Sequence, residues 1–183
     1  MNLKRKRESK TNYHVRLELL KSHTTRMIIR KTSKNVILQL VDYTPDSDKI
    51  ITSVNTTEVS KYGWKGAKKN IPSSYLAGLL LGKKANKNNI QKAILDLGLH
   101  PPIKKSLLYA ALKGALDSGL EIPHSKEVIP SEDRIKGKHI SEFMKSDSKK
   151  SQHQFNKYKQ TGITSENIIE NFEQTKKKIM ESQ

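Results

Sequence analysis

Between residues 25 and 56, three runs rich in β-branched side chains follow one another: TRMIIRK (25–31), NVILQLVDY (35–43) and KIITSVNT (49–56). Only the polar turn TSK and the turn-forming stretch TPDSD separate them. β-Branched residues fit a pleated, half-buried surface, and short polar turns between such runs predict a three-stranded antiparallel meander. The second run is apolar at nearly every position, which predicts a strand covered on both faces.

The sequence on either side is helical in period. Asn12 or Thr11 is a suitable N-cap for YHVRLELLK, where Tyr13, Leu17 and Leu20 recur at helical spacing. After the meander, Pro72 suits the first turn of a helix whose buried face is Tyr75, Leu76, Leu79 and Leu80, with Lys83 and Lys84 toward its C-terminal end. AILDLGL (93–99) predicts a fourth strand ended by Gly98, and Ser106 caps a helix carrying Leu108, Leu112 and Leu116 that stops at Gly119. GLEIPH adds a doubtful last strand. The order β-β-β-α-β-α defines an α/β fold, a mixed sheet with helices packed on it.

Beyond Pro130 the pattern loosens. Residues 131–145 predict a turn or two of helix, and 146–162 a polar, flexible linker. A final amphipathic helix over about 164–180, capped by Thr164 or Ser165, carries Ile168, Phe172 and Ile179 on one face. That face needs a partner, either the chain's own domain or a neighbour. The expected organisation is a basic arm at 1–11, a mixed α/β domain at 12–130 and an extension at 131–183.

Charge decides the class of partner. The chain carries 35 Lys and Arg against 18 Asp and Glu, a net charge of +17 on 183 residues. Ten of the basic residues fall in residues 1–31, against Glu8 and Glu18 alone, whereas residues 121–183 are close to balanced. Such a chain attracts polyanions, and one end of it is the electrostatic footprint. Leu, Ile, Val and Phe make up 44 of the 183 residues, enough for a modest core. No run of about 18 apolar residues occurs, and no apolar segment follows the basic start. A soluble, intracellular protein is expected, with no membrane partner.

Several chemistries find no residues to carry them. With no cysteine there is no disulfide, thiolate nucleophile or cysteine-based metal site. The six histidines stand in no HExxH-like spacing, no serine sits in a GxSxG elbow, and the glycines of YGWKGAKKN match neither a Walker loop nor GxGxxG. Three antiparallel strands followed by α-β-α resemble the ribonuclease H-like arrangement, whose nucleases cluster carboxylates on the first and fourth strands around two metal ions. Here TRMIIRK has no acid, and Asp96 has no obvious carboxylate partner. A degenerate metal-dependent ribonuclease using Asp42 and Asp96, or a nonspecific basic RNA chaperone, is the alternative to a specific binding protein.

Five blocks carry a family resemblance: TNYHVRLELLK, RKTSKNVILQLV, KYGWKGAKKNIPSSYLAGLLLG, AILDLGLHPPIKKSLLYAALKGALDSGLEIPH and RIKGKHISEF. In order, over about residues 11–143, they resemble the archaeal and eukaryotic type of the large-subunit ribosomal protein L-eighteen family, and the length is that of the archaeal form. The resemblance implies a ribonuclease H-like fold without catalytic acids. It implies a structural protein rather than an enzyme, cytoplasmic in the ribosome, which binds 5S ribosomal RNA and anchors it to large-subunit ribosomal RNA in the central protuberance. Its partners would include the neighbouring ribosomal protein L-five, and no cofactor or metal is expected.

The resemblance also implies RNA contacts. The arm offers Lys4, Arg5, Lys6, Arg7 and Lys10, continuing through Tyr13, His14 and Arg16, and the hairpin offers Arg26, Arg30, Lys31 and Lys34. The last block adds Arg134, Lys136, Lys138 and His139. Residues 145–183 match the family poorly and inherit no contacts. In the loop before Pro72, Lys65, Lys68 and Lys69 need water or phosphate, while Trp64 is expected to pack against Tyr75 and Leu76 and hold the loop in place.

Overall fold

The computed structural model describes residues 3–146, 155, 158 and 162–182. Most of the expected linker at 146–162 and the first two residues of the arm lie outside them.

The meander forms with its predicted boundaries to within a residue. Strand β1 (Arg26–Lys31) pairs antiparallel with β2 (Val36–Tyr43), and β2 pairs antiparallel with β3 (Asp48–Asn55). The hairpin turn is closed by Thr32, whose N–H donates to the Asn35 carbonyl at 2.9 Å. The fourth strand, β4 (Ile94–Asp96), lies parallel to β1, giving the order β3-β2-β1-β4. It is shorter than the apolar run because Gly98 turns the chain at φ +61°, with its N–H donating to the Asp96 carboxylate at 2.8 Å. The doubtful last strand is reduced to one parallel bridge between Lys92 and Glu121. Pro123, which has no N–H to donate, follows two residues later.

One face of the sheet is covered by helices, and the other is open except at its Arg26–Val41 end, where both residues are buried. Helix α3 (Ile71–Lys87) lies on β2 and β3, and α4 (Leu107–Asp117) packs against α3. Val36, Leu38 and Leu40 on the covered face of β2 are fully buried, whereas Ile37 and Gln39 on the opposite face remain half-exposed. The expectation that β2 is covered on both faces therefore fails at Ile37 and Gln39 and holds only near Val41, because α3 covers one side and α4 packs on α3.

Asn70 caps α3 by accepting from the Ser73 N–H at 2.9 Å, and Pro72 sits in its first turn. Where α3 meets α4 the backbones approach closely: a Cβ on Gly78 would run into the Ala111 carbonyl, and one on Gly114 into the Tyr75 carbonyl. Ser106 begins α4, but its hydroxyl makes no capping bond and is buried without a partner among the described residues.

The helices α5 (Glu132–Lys136) and α6 (Lys138–Lys145) are separated by Gly137 at φ +85°. The final helix, α7 (Asn167–Glu181), seats its apolar face on the chain's own core, with Ile168, Phe172 and Ile179 all buried. Its last turn carries the partial negative charge of free carbonyls, and Lys83 of α3 answers it, donating to the Ile179 carbonyl at 2.9 Å and the Met180 carbonyl at 2.6 Å. The Thr164 hydroxyl, one of the two expected caps, accepts from the Asn167 N–H at 3.4 Å, although the capping position itself is Glu166.

At the other end, Lys4–Arg7 form a single helical turn, α1, with nothing buried. Helix α2 (Tyr13–Leu20) is capped by Asn12, whose side chain accepts from the N–H groups of His14 and Val15. Its expected apolar stripe is not a core face: Leu17 is 57% exposed, and no residue of the helix is buried. A different contact holds it to the sheet.

Candidate nucleic-acid interface

The contact that holds α2 is electrostatic. Arg16 forks onto Asp48 at the start of β3, with Nη1 2.8 Å from Oδ2 and Nη2 2.7 Å from Oδ1. A bidentate pair of this kind fixes the guanidinium plane as well as its position. Asp48 also meets Arg26 of β1, whose Nη2 lies 2.7 Å from Oδ1. Arg26 Nη1 then donates to Asp96 of β4 at 3.0 Å, and Arg30 Nη2 donates to the other Asp96 oxygen at 2.9 Å. Arg30 Nη1 reaches the Asp96 and Ile29 carbonyls as well. A Cβ on Gly98 would come within 2.7 Å of the Arg30 guanidinium carbon, so the glycine leaves room for Arg30 to lie over the turn.

The period-2 rule puts Arg26, Ile28 and Arg30 on the uncovered face of β1, and the register sets Ile28 opposite Gln39 and beside Asp96. Between this face and the segment 5–19 runs an open cleft of about 910 Å³. Six cations line it, Arg5, Lys10, Arg16, Arg26, Arg30 and Lys31, against two carboxylates, Asp48 and Asp96. Tyr13, Leu99 and His100 add flat or apolar surface. Charged clefts with low-dielectric walls concentrate ions of the opposite sign.

The titration behaviour follows from these contacts. The hydrogen bonds from Arg16 hold the Asp48 carboxyl below the usual carboxylate range, against partial burial, with Arg26 adding to the effect. Arg16 in turn is raised by its bond to Asp48. His100 is lowered by burial first and then by Lys31, Arg30 and Lys69. Its Nε2 accepts from the Lys31 N–H at 3.0 Å, which requires a ring unprotonated at that nitrogen.

The expected contact residues divide into groups. Arg5, Lys10, Tyr13, Arg16, Arg26, Arg30 and Lys31 come together in the cleft. Within the group Arg26 departs from expectation: it is 1% exposed and bridges Asp48 and Asp96 inside the protein, so it has no surface to offer RNA directly. Lys4, Lys6 and Arg7 stand exposed on α1, and His14 is exposed on α2. Arg5 folds back, with Nε donating to the Thr11 hydroxyl at 2.9 Å, and Lys10 pairs with Glu8 at 2.9 Å.

A second basic group forms where Lys69 donates to the Ser33 carbonyl at 3.3 Å, joining the loop of Lys65 and Lys68 to the hairpin tip that carries Lys34. All four lysines are exposed. Trp64 is 1% exposed, and a Cβ on Gly66 would fall 2.5 Å from its indole ring, so the chain turns flat against it. Its Nε1–H donates to the Ala67 carbonyl at 3.2 Å. The loop is pinned from outside by Asn171 of α7, which donates to the Gly63 carbonyl at 2.9 Å, and by the Tyr158 hydroxyl, which accepts from the Ala67 N–H at 2.8 Å. These two residues belong to the extension.

Arg134, Lys136, Lys138 and His139 lie on α5 and α6 and do not line the cleft. Lys136 pairs with Glu173 at 3.3 Å and Lys138 with Asp133 at 3.5 Å, while Arg134 is exposed. His139 is lowered by burial and by Arg134, and its Nδ1 is buried with no hydrogen-bond partner among the described residues.

Sequence reasoning missed Gln39, Leu99 and His100 as cleft residues and Asp48 as a partner of two arginines. Gln39 was accessible through the alternation of β2. His100 was not, because the turn that returns it to Lys31 depends on where β4 ends. Asp96 ends β4, and its side chain is buried between two guanidiniums.

The sheet thus has one helix-covered face and one cleft-forming face whose charged lining is mostly cationic. Residues 1–92 of the 183 match the family model described as ribosomal large subunit proteins 60S L5 and 50S L18. The chain belongs to this family and is a ribosomal protein of the large subunit, acting in translation. The match ends before β4, so Asp96, His100 and α4 to α7 lie beyond it. Among the described residues no helix is long and apolar enough to cross a membrane.

Proposed function

We propose that this chain is a structural RNA-binding component of the large subunit that grips 5S ribosomal RNA and helps anchor it to large-subunit ribosomal RNA in the central protuberance. Ribosomal protein L-five is proposed as a neighbour sharing the same RNA, and turnover is not part of the role. The observation that carries the reading is the cleft, where five cations from the arm, α2 and β1 face a common space, with Arg26 buried beneath them between the two carboxylates. Arginine forks suit phosphate, and Tyr13 and His100 offer flat surfaces to unstacked bases. Three antiparallel strands with β4 parallel to β1 support a ribonuclease H-like arrangement of the sheet. For the ribonuclease alternative, Asp96 is engaged by Arg26 and Arg30, and Asp42 accepts from the Thr25 hydroxyl at 2.6 Å. No observation favours it.

The test is binding to 5S ribosomal RNA beside transfer RNA across a salt series, for the full chain and for a form lacking residues 1–10. A preference for 5S RNA that survives high salt, with a salt slope flattened by about 0.7 to 0.9 for each phosphate contact removed with the arm, is the expected result. Equal affinity for both RNAs, lost together as salt rises, would leave only a basic protein that binds any RNA.

A further inference from the structure

The charged side chains on the cleft floor alternate in sign along one line: Arg16, Asp48, Arg26, Asp96, Arg30. The line runs from α2 through β3 and β1 to β4 and back to β1. Arg26 and Asp96 lie inside the protein, at side-chain exposures of 1% and 8%, while Asp48 at 27%, Arg16 at 28% and Arg30 at 38% reach solvent. Each carboxylate is shared by two arginines.

Attraction does not account for the two acids, and stability, through their neutralising of the buried Arg26, does not by itself explain the bonds they also make to Arg16 and Arg30. Carboxylates repel phosphate, so a cleft that only gathered polyanions would do better without them. Buried ion pairs can often be replaced by apolar packing at no loss of stability, so burial of the chain is weak evidence for a stabilising role. The acids do restrict geometry. Asp48 holds Arg16 through two parallel bonds, and the Asp96 carboxylate holds Arg30 through one, beside two that Arg30 makes to the Ile29 and Asp96 backbone carbonyls, so the freedom a guanidinium would lose on meeting RNA is already lost. Arg26 ties the two carboxylates together, so the two exposed guanidiniums stand in one fixed frame.

We propose that Asp48 and Asp96 are positioning residues that set which RNA the cleft accepts: they hold Arg16 and Arg30 in fixed orientations, giving up generic attraction for polyanions in exchange for discrimination among RNA shapes. The proposal rests on the RNA-binding reading above and adds the source of its selectivity.

The experiment measures the ratio of Kd values for transfer RNA and 5S ribosomal RNA at one salt concentration, in the full chain and in Asp48→Asn, Asp48→Glu and Arg16→Lys. Asp48→Asn should bind transfer RNA at least about twofold more tightly, since one repelling charge is gone, yet its ratio should fall about tenfold or more. Asp48→Glu, which can fork again, should recover most of the ratio. Arg16→Lys keeps the charge but loses the fork, so the ratio should fall with no gain for transfer RNA. It also keeps the test open if Asp48→Asn does not fold, which circular dichroism would reveal. Wild-type preference with an unchanged ratio in Asp48→Asn and Arg16→Lys would overturn this inference and leave the RNA-binding reading standing. A wild-type ratio of one would remove both.

Discussion

The Phe172 ring of α7 meets the Trp64 indole edge-on, with ring centroids 6.4 Å apart and planes at 85°, and it also packs on Tyr75 of α3 at 5.6 Å. One side chain from the C-terminal extension thus joins the basic loop to the central helix. Phe172→Ala should destabilise the protein by about 3–5 kcal/mol, the usual range for a buried phenyl group. Urea unfolding checks this. Limited proteolysis should find residues 61–70 cut earlier in the variant than in the wild type, because Trp64 loses one wall of its pocket.

Gly78 gives a second prediction, on packing. Its missing Cβ lets the α3 backbone lie against the Ala111 carbonyl, and a methyl group has no flexible neighbour to displace there. Gly78→Ala should therefore destabilise by about 1–3 kcal/mol, even though alanine favours a helix over glycine by about 1 kcal/mol. A thermal midpoint higher than wild type would contradict the close approach.

Two groups give pH dependences of the same sign in different windows. Asp48 has a folded pKa below its ordinary value of about 4, so its contribution to stability is complete above that value and is lost as pH falls through the lower, folded one. Asp48→Asn should flatten the acid limb of a pH–stability curve below about pH 4. His100 is also lowered, from an ordinary value of about 6.5, so the folded state binds fewer protons than the unfolded state just below that pH. Stability attributable to His100 is complete above about pH 6.5 and declines as the pH drops toward its folded pKa. A proton titration followed by NMR should place the His100 midpoint below the ordinary imidazole value of about 6.5.

The lysine loop separates binding from folding. Replacing Lys65, Lys68 and Lys69 together by glutamine should change stability by no more than about 0.5 kcal/mol per site, since all three are exposed. The affinity for 5S RNA should fall and the salt slope should flatten by about 0.7 to 0.9 for each lysine that meets a phosphate. An unchanged slope would take this loop out of the interface.

What could be read from residues alone depended on how local the cause was. The β-branched runs, Asn12, Asn70 and Pro72 act on their own neighbours, and the strands and caps they signal are there. The open face of β2 was misread because an apolar run does not say on which side a helix will settle. The stripe on α2 was misread for a related reason: Tyr13, Leu17 and Leu20 have the right period, but the helix is held by Arg16 through a partner 32 residues away. In the cleft, the cations of the arm and hairpin were legible as charge. Their pairing with Asp48 and Asp96 was not, since it depends on strand register and on the parallel placement of β4. The close approach of α3 and α4 had a readable signal in Gly78 and Gly82, spaced one turn apart on the same face.

The seat of α7 has a consequence for how the chain is made. Trp64 and Tyr75 belong to the first half of the sequence, yet the ring that meets both is Phe172, and Ile179 follows a further two turns on. Synthesis delivers Trp64 and Tyr75 long before Phe172, so the apolar bed under α7 stays open to water until α7 itself has left the exit tunnel. During that interval the nascent chain offers both a sticky patch and a strongly cationic surface. Anything that shields the newborn protein must cover the two together, and the need for cover over the patch ends when α7 closes on it.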